Sequence, residues 1–168
     1  MMRRIVKLGL LFSLGMNFSS GYADEPAAAG RLAVGAAFPT VAVTDQHDKP
    51  VGLPGAAKVI IYANSKAADE WVNPVLAQYG AEALRAHQVA YVSDISRMPG
   101  LISRMIALPQ LRERSYPVVL LRESAQLLGM PQPPENCVDW VALQAGRVTE
   151  LTPLCTAAQV SERLNALP

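Results

Sequence analysis

Short runs of apolar, β-branched residues recur along the chain and predict strands. Each run is four to six residues long, except for a three-residue run that follows a polar turn cluster at 45–50. A continuous apolar run is typical of a strand buried on both faces, whereas polar, Gly- and Pro-containing clusters mark the turns between strands. The runs lie at 40–44, 51–53, 58–62, 89–92 and 116–121.

Helical spacing separates several of these runs. Ser65 is a candidate N-cap, and the apolar positions that follow it recur every three or four residues up to Ala83, although Pro74 and Gly80 interrupt the pattern. A shorter helix is expected at 101–106. The last helix carries the clearest signal, a capping box formed by Thr156 and Gln159.

The order of these elements predicts the fold class. Strands and helices alternate as βαβαβ, and a hairpin of 137–143 with 147–151 around Ala145-Gly146 follows before the terminal helix. Alternating β and α elements favour a sheet covered by helices on both sides. We therefore predict an α/β sandwich with a central mixed β-sheet, an N-terminal extension of short strands and a C-terminal hairpin plus helix.

The first 23 residues have the features of a secretory leader. Arg3, Arg4 and Lys7 precede a mostly apolar run at 8–18, and Gly21 and Ala23 are the small residues of a cleavage site. The apolar run is shorter than the ~20 residues that a membrane-spanning helix needs. We expect cleavage between Ala23 and Asp24, a flexible lead-in at 24–35, one domain at 36–168, and a periplasmic location.

Composition narrows the classes of partner. Without its leader the chain keeps 12 Lys and Arg against 14 Asp and Glu, so no basic surface predicts nucleic-acid binding. No other apolar stretch predicts membrane insertion, and no nucleotide or flavin motif is present, so we expect no cofactor. His47 lies beside Asp45 and Asp48, but such polar turns are usually solvated, and we predict no metal site.

Several segments together resemble the peroxiredoxin-type redoxins (AhpC/TSA type) of the thioredoxin-like superfamily. The opening segment 35–39, the strand 116–120 with the Gly-x-Pro turn at 125–131, and the hairpin 138–148 match the pattern of that group. The helix after Thr156 is similar to its last helix. The resemblance spans roughly the whole chain from Gly35 and implies a thioredoxin-like three-layer sandwich.

The chain departs from this family at the reactive position. In the redoxins the reactive cysteine follows the first central strand at the start of the long helix, where the helix N-terminus stabilises its thiolate. The corresponding segment here, 63–70, contains neither a cysteine nor a C-x-x-C motif, and it carries Asp69 and Glu70. The resemblance therefore implies a redoxin without its peroxidatic cysteine, and hence without classical redoxin catalysis.

Cys137 and Cys155 are the two cysteines of the chain, and three interpretations are open for them. In an oxidising compartment they can form a structural disulfide, stay as two buried thiols, or act as a redox pair. If Ala145-Gly146 is a two-residue turn, Cys137 faces Leu154 and the two sulfurs point to opposite faces. A disulfide then requires Pro153 to end the strand so that Cys155 can swing across.

A candidate binding surface lies next to the start of the long helix. It combines the turn after the first central strand with the 94–100 loop and the region of Cys137, which the family resemblance brings together. Ser96 and Arg97 could meet an anion, although a turn with a solvated arginine explains the same residues. Asp139, inside a strand pattern, is either a desolvated acid or, as we expect, an exposed residue of a hairpin edge. The candidate surface residues are Asn64, Ser65, Lys66, Asp94, Ser96, Arg97, Met98 and Pro99.

The emptied redoxin position favours a non-catalytic function. The leading hypothesis from the sequence is a binding or interaction module with an unknown protein or small-molecule partner in the periplasm. The alternative is a thiol-disulfide oxidoreductase that uses Cys137 and Cys155 as its redox pair. A third possibility is a small structural protein whose function is assembly with a partner chain.

Overall fold

The computed structural model describes residues 32–168, which form one seven-stranded mixed sheet with helices on it. The expected leader 1–23 and residues 24–31 of the expected lead-in lie outside the described residues. The strands are β1 (Val41–Asp45), β2 (Pro50–Leu53), β3 (Val59–Ala63), β4 (Val89–Asp94), β5 (Val118–Leu121), β6 (Val138–Gln144) and β7 (Arg147–Leu154). The helices are α1 (Lys66–Tyr79), α2 (Ala81–Ala86), α3 (Gly100–Ile102), α4 (Leu108–Arg112) and α5 (Ala157–Asn165).

Two further helical pieces complete the chain trace. A π-helical stretch, Ser103–Ala107, joins α3 to α4, so that 100–112 is one helical segment, and a 3₁₀ turn, Ser124–Leu127, follows β5. Within residues 32–168, no helix has the length and apolarity required to cross a bilayer.

The sheet order confirms the predicted fold class. The strands run β2-β1-β5-β4-β3-β6-β7, with β3, β4 and β5 mutually parallel and the remaining pairs antiparallel. The parallel strands are joined by helical crossovers, and β6 and β7 form a hairpin, as the βαβαβ and ββα order predicted. Every residue of β3 is buried, because this strand lies in the middle of the sheet.

A hydrophobic core lies on each side of the sheet. On one side α1 and α5 pack Val72, Leu76 and Val160 against the sheet, where Trp140 of β6 is also buried. The other side contains Ile60, Tyr62 and Val141. Leu32 and Phe38 close this second core, and Gly35 N–H donates to the carbonyl of Val148 at 2.8 Å, so residues 32–38 are packed onto the domain.

The long predicted helix is divided into two at Gly80. Ser65 caps α1 as expected, since its Oγ accepts a hydrogen bond from Ala68 N–H at 3.2 Å. Pro74 lies inside α1 without ending it. Gly80 ends the helix because its φ of +91° leaves the helical region, a backbone conformation that glycine adopts without strain.

The β6–β7 hairpin corrects the predicted pairing of the cysteines. Ala145 and Gly146 form the expected two-residue turn, but a β-bulge between Ala142 and Leu143 adds one residue to β7 and shifts the register. The pairing that then runs to Val138 and Leu154 brings Cys137 directly opposite Cys155.

Pro153 does not end β7, contrary to the sequence-based expectation. The strand continues through this residue to Leu154, with Pro153 paired to Asp139. β7 is the last strand of the sheet, and an edge strand tolerates proline because one of its sides needs no ladder hydrogen bond.

Candidate functional site

One edge of the sheet brings the cysteines close to the start of α1. The ends of β4, β3, β6 and β7 are aligned there through the register pairs of Ser93, Ala63, Val138 and Leu154. The residues one position further out in the same four strands are Asp94, Asn64, Cys137 and Cys155. Cys137 therefore lies two strands away from Asp94 and Cys155 three strands away, and the β3–α1 turn lies between Asp94 and the disulfide.

Cys137 and Cys155 form a disulfide, as one of the three interpretations proposed. Their Cα atoms are 4.1 Å apart, and 18 positions separate them in sequence. The two ends of the bridge differ in accessibility: Cys137 is 4% exposed, whereas Cys155 is an exposed residue. The side of the bridge that carries Cys155 is therefore the more exposed one.

Cys155 immediately precedes the capped N-terminus of α5. Thr156 is the N-cap, and its Oγ1 accepts a hydrogen bond from Gln159 N–H at 3.3 Å. Gln159 Oε1 in return accepts from the N–H groups of Thr156 at 3.1 Å and of Cys155 at 2.8 Å. This predicted capping box thus extends to the cysteine and fixes its backbone at the positive end of the helix.

The start of α1, where the redoxins carry their cysteine, contains an ion pair instead. Asp69 receives two hydrogen bonds from the guanidinium of Arg114, one of them at 3.0 Å to Oδ1. The same Oδ1 accepts from the hydroxyls of Tyr91 at 2.5 Å and Ser93 at 3.4 Å. The side chain of Asp69 is 18% exposed and that of Arg114 is 10% exposed, so this ion pair is largely shielded from solvent.

Burial and this ion pair shift the pKa values of the groups around it. Burial raises the pKa of Tyr91 well above its usual value, and the Asp69 carboxylate raises it further. Burial alone would lower the pKa of Arg114, but the hydrogen bond and the charge of Asp69 outweigh it and raise the pKa. Arg114 had no signal in the sequence, because its partner lies 45 positions away on another element.

Two acids and a tyrosine form a second buried polar cluster near the disulfide. The hydroxyl of Tyr62 donates to Asp94 Oδ2 at 3.5 Å, and burial raises the pKa of Tyr62, with the charge of Asp94 adding to the effect. Asp139 is only 5% exposed, so its expected exposed position was wrong. β6 lies between β3 and β7 and is no edge, and the apolar neighbours of Asp139 in sequence were the available signal.

The residues of the predicted binding surface are divided between a cavity and its surroundings. Ser65, Lys66, Asp94 and Met98 line a cavity between α1 and the 100–112 segment. Asp94 Oδ1 also accepts a hydrogen bond from Ser96 N–H at 2.9 Å. The remaining three residues of the predicted surface are outside the cavity lining. Asn64 is half-buried in the β3–α1 turn, and Arg97 and Pro99 are exposed in the 94–100 loop.

The histidine-containing turn is a structural feature of the β1–β2 connection. Asp45 Oδ1 accepts hydrogen bonds from the backbone N–H groups of His47 at 2.8 Å and Lys49 at 3.0 Å. Among residues 32–168, no group of three or more His, Cys, Asp or Glu side chains is arranged to hold a metal ion.

The chain is similar in structure to thioredoxin-like proteins. A proposed thiol:disulfide interchange protein DsbE from Chlorobium tepidum matches with a TM-score of 0.54 and 16% identity over 82% of this chain and 99% of its own. The thioredoxin domain of a thiol-disulfide oxidoreductase from Bacteroides vulgatus has a TM-score of 0.50 and 14% identity, over 80% and 99%. A peroxiredoxin-like protein from Aquifex aeolicus has a TM-score of 0.52 and 12% identity over 83% of this chain and 90% of its own. No family model and no curated protein sequence matches the chain.

These findings correct the leading functional hypothesis. The interpretation as a binding module without redox chemistry was wrong: the structural neighbours include thiol-disulfide oxidoreductases, and the chain itself contains a disulfide with an exposed end. The absence of a cysteine from 63–70 excludes thiol chemistry at that position only, and the findings favour the alternative hypothesis, a thiol-disulfide oxidoreductase that uses Cys137 and Cys155. In sheet order, helix placement and structural neighbours, the chain has the thioredoxin-like fold.

Proposed function

We propose that this protein is a thiol-disulfide oxidoreductase that acts outside the cytoplasm, with Cys137 and Cys155 as its redox pair. The observation that carries the proposal is the disulfide between a buried residue and an exposed one, located at the edge of a thioredoxin-like sheet directly before a capped helix. Exposed disulfides are more readily exchanged than buried ones, which are typically structural.

The unequal exposure assigns a different step to each sulfur. In the reduced protein, the Cys155 thiolate attacks one sulfur of a substrate disulfide and displaces the other as a thiolate. The Cys137 thiolate then attacks Sγ of Cys155, closes the intramolecular bridge and releases the substrate's first sulfur as a thiolate. Two electrons pass from the protein pair to the substrate disulfide, and the reverse sequence oxidises a substrate dithiol.

The N-terminus of α5 supports this assignment electrostatically. A helix N-terminus carries the equivalent of roughly half a positive charge, and it stabilises a nearby thiolate relative to the thiol. Cys155 lies two positions before the first helical residue, Ala157, and the hydrogen bond from its N–H to Gln159 holds it there. Cys137 immediately precedes strand β6 instead and has no helix N-terminus beside it in sequence.

Two features support the proposed location. The leader expected at 1–23 would direct the chain across the membrane. A disulfide persists in oxidising compartments and is rare in the cytosol, where thiols are kept reduced. Both features support an extracytoplasmic site of action, which we place in the periplasm.

The reduction potential of the Cys137–Cys155 pair tests the function. We expect a value clearly above about −300 mV, which structural bridges typically do not reach. It can be measured by equilibrating the protein with glutathione redox buffers and counting free thiols by mass spectrometry. A potential below about −300 mV would show that the bridge is a structural crosslink and would refute the proposal.

Two serine variants test the assignment of the steps. Cys137→Ser leaves the exposed thiol without its resolving partner, so it should accumulate mixed disulfides with a substrate such as scrambled ribonuclease, whose disulfides it attacks with release of a ribonuclease thiolate. Cys155→Ser leaves only the buried thiol and should accumulate almost none. The two variants lose the same bridge and are controls for each other in stability. Equal trapping by both would contradict the proposed order of attack.

A further inference from the structure

A cavity opens at the same sheet edge as the disulfide. It lies between the first turns of α1 and the 100–112 helical segment, and its volume of about 460 Å³ is typical of ligand sites. Its inner part is polar, with Ser93 and the Asp69–Arg114 ion pair, whereas Ile102 and Ile106 form an apolar outer wall. The cavity can therefore take a group that has both apolar and polar parts.

The charges of the lining favour a cationic occupant. Among the side chains that the structure describes, four carboxylates and two cations line the cavity. Asp69 is paired with Arg114, and Glu70 with Lys66 at 3.4 Å. Within this described lining, the excess negative charge is therefore that of two carboxylates, which belong to Asp94 and Glu113. A basic side chain in the cavity would be attracted by them.

The outer wall of the cavity continues into an exposed apolar face. Leu101, Ile102, Met105 and Ile106 are 71%, 47%, 69% and 54% exposed, and their spacing of one and four residues puts them on one side of the helical segment. They are four of the six large apolar side chains that are most exposed among residues 32–168. Clusters of this kind mark interaction sites more often than scattered apolar residues do.

The cavity and the redox pair are close enough for one polypeptide to reach both. Ser93 and Asp94 line the cavity, and Cys155 lies three strands away along the same edge. Three strand spacings amount to roughly 14 Å, which an extended chain covers in about five residues. Trp71 of α1 connects the two places, because its Nε1–H donates to the carbonyl of Asn136, next to Cys137, at 2.8 Å.

We propose, on the basis of the redox function proposed above, that this cavity and apolar face bind the polypeptide substrate beside its reactive cysteine. The occupant is an extended segment with apolar side chains and a basic residue, about five residues from the cysteine that bonds to Cys155. The substrate class is thus a protein or peptide with cysteines rather than a small thiol, since a small thiol spans only the sulfur and not the cavity.

The test compares a peptide with a small disulfide. The probe is a synthetic peptide with a Leu-Arg pair five residues from a single cysteine that is activated as its 2-thiopyridyl disulfide. The Cys155 thiolate of the Cys137→Ser variant attacks the peptide sulfur, and pyridine-2-thione leaves as the measured product. 2,2′-Dipyridyl disulfide reports the same chemistry without a peptide. We expect the peptide rate to saturate with peptide concentration, as binding before exchange requires.

The variant Ile102→Ser/Ile106→Ser removes the apolar wall at two exposed positions, so the fold should not change. We expect it to lose about tenfold in second-order rate with the peptide and nothing with dipyridyl disulfide. Leu128→Ser, at an apolar residue that is 65% exposed outside the cavity, is the matched control and should keep both rates. Replacing Arg by Glu in the peptide should lower its rate in the same way.

Equal peptide rates for the protein with the native isoleucines and for the Ile102→Ser/Ile106→Ser variant would overturn the inference. If Cys137→Ser folds poorly, the same ratio of rates can be measured on the reduced native protein. The ratio depends only on binding beside an exposed thiol, whereas the redox function is decided by the reduction potential of the native pair. Failure of one is therefore distinguishable from failure of the other.

Discussion

Two helices, α1 and α5, begin at the same edge of the sheet, but the side chains at their N-termini have different roles. α1 follows β3 and α5 follows β7, and each helix has a side-chain N-cap. Ser65 Oγ accepts a hydrogen bond from a backbone N–H of α1 at 3.2 Å, and Thr156 Oγ1 accepts one from a backbone N–H of α5 at 3.3 Å. Each helix thus presents the same positive end near the ends of neighbouring strands.

The side chains next to these two ends are different. At α1 the available negative group is Asp69, and Arg114, Tyr91 and Ser93 use its hydrogen-bonding capacity inside the protein. At α5 the neighbouring residue is Cys155, which is exposed and whose sulfur is bonded to that of Cys137. The same positive helix end thus stabilises the fold at α1, while at α5 it can stabilise a thiolate that reacts with other molecules.

The largest expected effect comes from removing the acid at α1. Asp69→Ala leaves the guanidinium of Arg114 buried without its partner, and breaking a buried ion pair in this way costs about 3–5 kcal/mol of unfolding free energy. Urea unfolding measures the loss. Glu70→Gln is the control, because the exposed pair of Glu70 with Lys66 contributes at most about 1 kcal/mol. A change in the reduction potential of the cysteine pair in Asp69→Ala would contradict the separation between the two helices.

Removing the bridge at α5 should have the next largest effect. The disulfide closes a loop of 18 residues, and loop entropy predicts a stabilisation of about 3 kcal/mol relative to the reduced chain. Urea unfolding with and without dithiothreitol measures this difference. The double variant Cys137→Ser/Cys155→Ser should match the reduced protein and should not respond to reductant. A reduced protein as stable as the oxidised one would mean that the bridge can open without loss of structure.

Alkaline pH should weaken the α1 region through its buried tyrosines. Burial raises the pKa of Tyr116 to about 12, and its hydroxyl donates to Asn73 Oδ1 at 2.6 Å. A folded-state pKa above the unfolded value means that the folded protein holds the proton more tightly. This contribution, on the order of 2 kcal/mol, is complete below pH 10 and is lost as the pH rises to about 12.

Tyr116→Phe separates this contribution from the rest of the alkaline response. The variant has no hydroxyl to ionise, so its unfolding free energy should fall less steeply between about pH 10 and 12 than that of the native protein. Tyr91 and Tyr62, whose pKa values are also raised, remain and account for the residual slope. Identical slopes in the two proteins would show that ionisation of Tyr116 is not coupled to unfolding.

The sequence predicted the fold because its signals were local. The capping box of Thr156 and Gln159, the N-cap Ser65 and the fully apolar run of β3 each depend on residues a few positions apart, and the structure confirms all of them. The pairing of Cys137 with Cys155 needed the register of a whole hairpin. One bulge after Ala142 was enough to shift that register by a residue, and no local signal marks it.

The candidate site was harder to predict because it depends on distant contacts. The partners Asp69 and Arg114 are 45 positions apart, and only the folded chain brings them together. Asp139 is buried in a strand that lies between β3 and β7, and this sheet order depends on contacts between distant parts of the chain. The cavity lining was partly predicted, since Ser65, Lys66, Asp94 and Met98 all lie at or shortly after the ends of β3 and β4, where ligand sites of α/β sheets occur.

The smallest expected effect compares the two N-caps directly. Thr156→Ala and Ser65→Ala each remove one capping hydrogen bond and should cost about 1 kcal/mol of unfolding free energy. Their effects on the thiol should differ, because only Thr156 belongs to the helix that faces Cys155. In the reduced protein, we expect Thr156→Ala to slow alkylation of Cys155 by iodoacetamide at neutral pH, since a less ordered helix start stabilises the thiolate less. Ser65→Ala should leave that rate unchanged. If both variants slow alkylation equally, the reactivity of Cys155 follows global stability rather than the positive end of α5.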